Sequence, residues 1–137
     1  SKFNQKNYQN LSNFLILKLK LQNNQLDEAL IMLNKVEEKI GSKSHLNRIV
    51  EYYYSQIYLD KKEKDKFDNY TKKLLTHGGM WAMLAHELRG HYYFNDNEYD
   101  QALKNFEKII TNQQATSQIR SRVSEMINNI NLYDEKK

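Results

Sequence analysis

Neither cysteine nor proline occurs in this chain, and glycine occurs only four times in 137 residues. Without cysteine there is no disulfide framework, no thiolate nucleophile and no cysteine-based metal site. Proline and glycine are the residues that helix interiors tolerate least, so a chain poor in both is free to be helical almost throughout. The expectation is an all-α fold. Long apolar runs are missing too. The richest, Phe14 to Leu21, is interrupted by Lys18 and Lys20 and falls short of the roughly 20 residues that a membrane-spanning helix needs. No signal peptide opens the chain, which begins on the polar run Ser1 to Asn10. Charge of one sign is also scarce: 21 Lys+Arg against 17 Asp+Glu leave a net charge of +4. The two signs are interspersed, whereas nucleic acid demands a clustered basic face, so no nucleic-acid partner is expected. The bias toward Asn, Lys, Gln and ten tyrosines fits an AT-rich genome as well as any binding role.

What is present is a repeat. By length the chain is one domain, residues 1–137, able to bury a single extended core. Met80 to Ile110 reads as two antiparallel helices. Trp81, Leu84, Ala85, Leu88 and Tyr92 share one face of the first, Asn95-Asp96-Asn97 breaks it, and Tyr99, Ala102, Leu103, Phe106, Ile109 and Ile110 form the stripe of the second. Gly90, Tyr93, Ala102 and Phe106 stand at the spacing of a tetratricopeptide helical hairpin, in which small residues let two helices approach and aromatics fill the crevice beside them. Leu26-Asp27-Glu28-Ala29-Leu30 aligns with Tyr99-Asp100-Gln101-Ala102-Leu103 without a gap, and Leu33 then falls on Phe106. A helix from about Asn7 to Leu21 precedes this second copy, which runs to Ile40 and stops at Gly41.

The middle pair is less regular. Its first helix aligns with Ser55 on Gly90 and Tyr58 on Tyr93; its second fits about three residues out of register, with Phe67 on Tyr99 and Leu74 on Phe106. A longer turn through Asp60 to Lys66 would reconcile the two. Tyr70 then replaces the small residue at Ala29 and Ala102, so this hairpin is expected to splay. A last helix, about 116–131, carries Ile119, Val123, Met126, Ile127 and Ile130 on one stripe, the form of a capping helix, with Tyr133 to Lys137 frayed. The expected architecture is a tetratricopeptide-like α-solenoid: hairpins at about 7–40, 44–76 and 80–111 plus the cap, in a right-handed superhelical array.

No grouping of nucleophile, base and acid, no paired carboxylates and no glycine-rich phosphate loop appears, so neither an enzyme nor a cofactor is expected. His86-Glu87-Leu88-Arg89-Gly90-His91 resembles a zinc protease motif, but that motif needs its histidines four residues apart. Five residues at 100° each turn the rings apart by about 140°. Lys61 to Lys66 alternates in sign at Glu63 and Asp65 and reads as a solvated turn. Asn10-Leu11-Ser12 and Asn69-Tyr70-Thr71 are glycosylation sequons of the kind chance supplies in an Asn-rich chain. Three consecutive tyrosines, Tyr52 to Tyr54, cannot all face a core. Stacked hairpins make a concave surface from the first helix of each pair, and on the pattern counted from Gly90 the residues aimed into it are Glu87, His91, Phe94 and Asn95, joined by Tyr54. Such a groove suits a peptide or an unfolded segment; packing against a neighbouring helix is the competing use of the same residues.

Trp81-Ala82-Met83-Leu84-Ala85-His86-Glu87-Leu88-Arg89-Gly90, then Tyr99-Asp100-Gln101-Ala102-Leu103 and Ile119-Arg120-Ser121-Arg122, resemble the C-terminal half of the YfgM-like tetratricopeptide family, in its alphaproteobacterial and rickettsial branch. The repeat at Leu26 to Leu33 fits the same family's first hairpin. The resemblance implies a periplasmic domain held at the inner membrane by a transmembrane helix lying outside this sequence. It implies work beside the SecYEG translocon, with a translocon subunit, a periplasmic chaperone or an emerging polypeptide as partner. It carries no catalytic residue. A cytosolic tetratricopeptide adaptor with no membrane link and a small RNA-binding helical repeat are the alternative readings.

Overall fold

A computed structural model describes residues 2–135, with side-chain environments from 9 to 134. The described residues form seven helices and no strand: α1 (Lys2–Gln22), α2 (Leu26–Ile40), α3 (Asn47–Lys61), α4 (Lys64–His77), α5 (Gly79–Asn95), α6 (Tyr99–Ile110) and α7 (Ser117–Glu135). The expected all-α class is what the chain adopts. It falls into two compact units, Ser1–Phe67 and Asp68–Lys137, which meet in sequence within α4.

In the first unit α1 packs against α2 and α2 against α3. Leu17, Ala29, Leu33, Val36, Val50, Ile57 and Phe67 are all at most 1% exposed. Ala29 is the small residue of the repeat. Phe14 stacks on Tyr53 with ring centroids 5.8 Å apart, and Lys61 reaches Asp27 at 2.5 Å. Gly41 ends α2 at φ 75°, a conformation open to glycine, and its carbonyl accepts from Asn47 Nδ2 at 2.9 Å.

In the second unit α5 and α6 form the closest helix pair, with α7 laid on α6. Gly90 is buried against the ring of Phe106, and Ala102 is fully buried beside them. Phe106, Ile109, Ala115, Ile119, Val123 and Ile130 complete one core cluster with Met83. Arg120 ties the α6–α7 corner: its guanidinium donates to the carbonyls of Ile110 (2.9 Å), Asn112 (2.6 Å) and Ala115 (3.1 Å). These are carbonyls at the end of α6 and in the loop beyond, which the helix itself leaves unpaired.

The three turns inside the repeats share one backbone geometry. Asn24, Lys62 and Asn97 are all left-handed, at φ 59°, 59° and 61°. After each, the next amide bonds five residues back: Gln25 to Lys20, Glu63 to Tyr58, Glu98 to Tyr93. The next helix starts one residue later in all three cases. This corrects the longer turn expected through Asp60 to Lys66, which is closed instead by Lys62 and Glu63. With turns of equal length there is no three-residue slip. Phe67, not Tyr70, occupies the position of Ala29 and Ala102, while Thr71 occupies that of Leu33 and Phe106. Phe67 is 1% exposed and Thr71 0%, so the middle repeat exchanges large and small residues. The expected fraying from Tyr133 is also corrected. α7 continues to Glu135 because Tyr133 stacks on Tyr99, centroids 6.1 Å apart, and meets Phe94 edge-on at 5.7 Å. Lys136 and Lys137 lie outside the described residues.

Candidate protein-binding face

Glu87, His91 and Phe94 are spaced i, i+4, i+7 along α5 and so line one face of that helix. α6 and α7 close on this row. Glu87 forms a two-pronged pair with Arg122 of α7, Oε1 accepting from Nε at 3.2 Å and Oε2 from Nη2 at 3.1 Å. The Glu87 side chain is 16% exposed and that of Arg122 54%. His91 is half-buried, its ring edge-on to Phe106 at 5.5 Å. Burial holds its imidazole below the ordinary value, with Glu87 pulling the other way and Arg122 adding to the depression. Phe94 is half-buried between Tyr99 and Tyr133, and Asn95, at the end of α5, is exposed. These four therefore belong to a single strip of the second unit.

Tyr54 does not belong to it. It lies in the first unit, is 3% exposed, stacks on Tyr58 at 6.1 Å and donates its hydroxyl to Asn34 Oδ1. Of the three consecutive tyrosines it is the one facing inward, because it falls on the same helix side as Val50, Ile57 and Tyr58; Tyr52 and Tyr53 are half-exposed. Its membership of a binding surface is withdrawn on that ground.

Arg122 was invisible as a member of the strip. It is separated from Glu87 by 35 residues, and no local spacing announces the pair. At the strip's aromatic end an open cavity of about 350 Å³ is lined by Asn97 to Gln101 and Asp134. The two histidines of the zinc-like motif have separate partners: His86 Nδ1 lies 3.0 Å from Asn105 Oδ1, and His91 meets Phe106. Among the described residues no group of three or more His, Asp or Glu is placed to hold a metal ion, and no helix is long and apolar enough to cross a membrane.

The hairpin of α5 and α6, with Gly90 against Phe106 and Ala102 beside it, recurs in turn geometry at α1–α2. A family model described as the tetratricopeptide repeat-like domain matches residues 1–131. The chain belongs to that family. No curated protein and no solved structure matches it. Tetratricopeptide repeat-like domains are in general modules for binding other proteins, and protein binding is the functional class this membership supports. For this tetratricopeptide-like domain, the α5–α7 strip offers a charged pair, an imidazole and an amide over an aromatic floor, groups able to form hydrogen bonds.

Proposed function

We propose that the chain is a non-enzymatic protein-interaction module that receives an extended or partly unfolded polypeptide along the strip formed by Glu87, His91, Asn95 and Arg122. The observation that carries this reading is the clustering of these polar heads on one face, above Phe106 and Phe94, within a tetratricopeptide-like hairpin. A peptide backbone laid there would meet donors and acceptors at helix-turn intervals, and its apolar side chains would reach the aromatic end. Following the resemblance to the YfgM-like family, the proposal extends to location and partner. The domain faces the periplasm from the inner membrane, held by an anchor outside this sequence, and assists the SecYEG translocon together with periplasmic chaperones.

In-cell photocrosslinking tests both levels, with the crosslinker placed in turn at Glu87, His91 and Asn95. Capture of a translocon subunit, a chaperone or a nascent polypeptide supports the full reading. Capture of cytosolic proteins only, with the protein in the cytosolic fraction, leaves the binding strip and replaces the envelope role by that of a cytosolic adaptor. Capture at an unrelated exposed position, such as Lys104 of α6, but not at the strip would overturn the strip itself.

A further inference from the structure

Glu87 stands between two cations, one permanent and one conditional. Arg122 of α7 takes both carboxylate oxygens, Oε1 from Nε at 3.2 Å and Oε2 from Nη2 at 3.1 Å. His91 lies one turn further along α5, and a carboxylate four residues before a cation is the favourable order for a pair on one helix face. α6 contributes an uncharged wall at this point, the ring of Phe106 standing edge-on to the imidazole at 5.5 Å. The charges acting on His91 are Glu87 of its own helix and Arg122 of α7, which have opposite signs. Lys108 of α6 acts on His86. Arg89 points about 200° around α5 from His91 and donates to Thr71 and to the carbonyl of Asp68 on α4.

A neutral imidazole leaves Arg122 as the stronger claimant for the carboxylate, and the two-pronged pair then ties α7 to α5. An imidazolium alters both sides of that balance, because it attracts Glu87 and repels Arg122. Half-buried beside an apolar ring, it also loses hydration unless an anion compensates, and Glu87 is the anion within one turn. We propose that Glu87 is shared between these two cations, bound to Arg122 while His91 is neutral and drawn to His91 once it is protonated, so that acidification loosens the tie between α5 and α7. Linkage runs the same way. Burial holds the imidazole below its ordinary 6.5 in the tied state, so the proton binds more tightly to the loosened state and favours it as pH falls through that value and downward. The apolar core under α7, with Ile119, Val123 and Ile130, stays in place, which keeps the change local. The device belongs to the free chain and holds whether or not the strip receives a polypeptide.

An NMR titration of the free chain between pH 7.5 and pH 5 tests it. The side-chain carbons Cζ of Arg122 and Cδ of Glu87 should shift in one step whose midpoint is that of the His91 ring. Amides of residues 119–126 should exchange at least about threefold faster at the acid end after correction for intrinsic rates, while those of α2 in the first unit show no such step. His91→Gln should abolish the step at Arg122 and Glu87 and leave their pair intact at pH 7.5. Glu87→Gln should leave His91 titrating, at a lower midpoint, with no step in α7. A step that survives in His91→Gln would belong to the carboxylate's own protonation and overturn the proposal. So would His91 titrating while Arg122 and Glu87 stay unmoved, or an exchange change of equal size in α2, which would report general loosening by acid.

Discussion

A Cβ atom on Gly90 would lie 2.5 Å from Cζ of Phe106, closer than carbon atoms approach in real side-chain contacts. Gly90→Ala therefore forces the fully buried Phe106 ring to move. The clash costs about 1–3 kcal/mol, against a gain of about 1 kcal/mol in helix propensity. The expected net loss is up to about 2 kcal/mol in urea unfolding. Phe106→Leu destabilises by itself, but in the double variant the two effects should add to less than their sum. Additive losses would show that Gly90 is not there to admit the ring.

Ala102, beside the same contact, is fully buried. Ala102→Trp has no space to enter and should destabilise the second unit by about 3 kcal/mol or more. The expected readout is loss of the cooperative thermal transition.

Arg120 spans the end of α6 and the loop before α7 with three donors, a fork that lysine cannot reproduce. Arg120→Lys should lower stability by about 1–3 kcal/mol and Arg120→Ala by more. Amide hydrogen exchange over residues 110–119 should speed up in both. A surface residue without this role would leave exchange in that loop unchanged.

The pair of Glu87 and Arg122 is half open to water, and screening limits its contribution to stability. A double-mutant cycle with Glu87→Gln and Arg122→Gln should give a coupling of about 0.5–1 kcal/mol. Partner binding should respond much more strongly if the strip is used. Glu87→Gln, His91→Ala and Asn95→Ala are expected to weaken capture of a bound polypeptide while the melting temperature shifts little for Glu87→Gln and Asn95→Ala.

His91 is buried enough for its imidazole to titrate below the ordinary 6.5, and His86 is depressed mainly by burial as well. The unfolded chain then binds more protons than the folded one as pH falls below 6.5, so stability should decline on acidification through that value and downward. His91→Gln should flatten part of the slope between about pH 7 and pH 5 in melts recorded across that range. Glu87 and Arg122 act on this group with opposite signs, so Arg122→Gln should raise the His91 titration midpoint observed by NMR.

The helices and their turns were legible because they are local. Leu26 and Tyr99 open α2 and α6 where the gapless alignment puts them, since a left-handed residue and one helix-starting amide are decided within a few positions. The middle repeat misled for a reason of packing. Large and small residues exchange places at Phe67 and Thr71, and a reader following size alone slides the register by three. The left-handed Lys62 shows that the backbone did not slide. The row Glu87, His91, Phe94 and Asn95 was likewise legible as one helix face, and Tyr54 shares the spacing of Val50, Ile57 and Tyr58, which sets it on the inward side apart from Tyr52 and Tyr53.

Periodicity and turn chemistry in the chain were enough to determine an all-helical, tetratricopeptide-like domain, because helix formation depends on neighbours one turn away. Tertiary structure decided the rest. It joined Glu87 to Arg122, put Tyr133 onto Tyr99, and chose which side of α1 faces inward. A helix with leucine at 11, 15, 17, 19 and 21 has no single apolar face to announce. Only the position of α2 buries Leu17 and leaves Leu11, Leu15 and Leu19 outside, since burial depends on what lies across the gap and not on the residue alone.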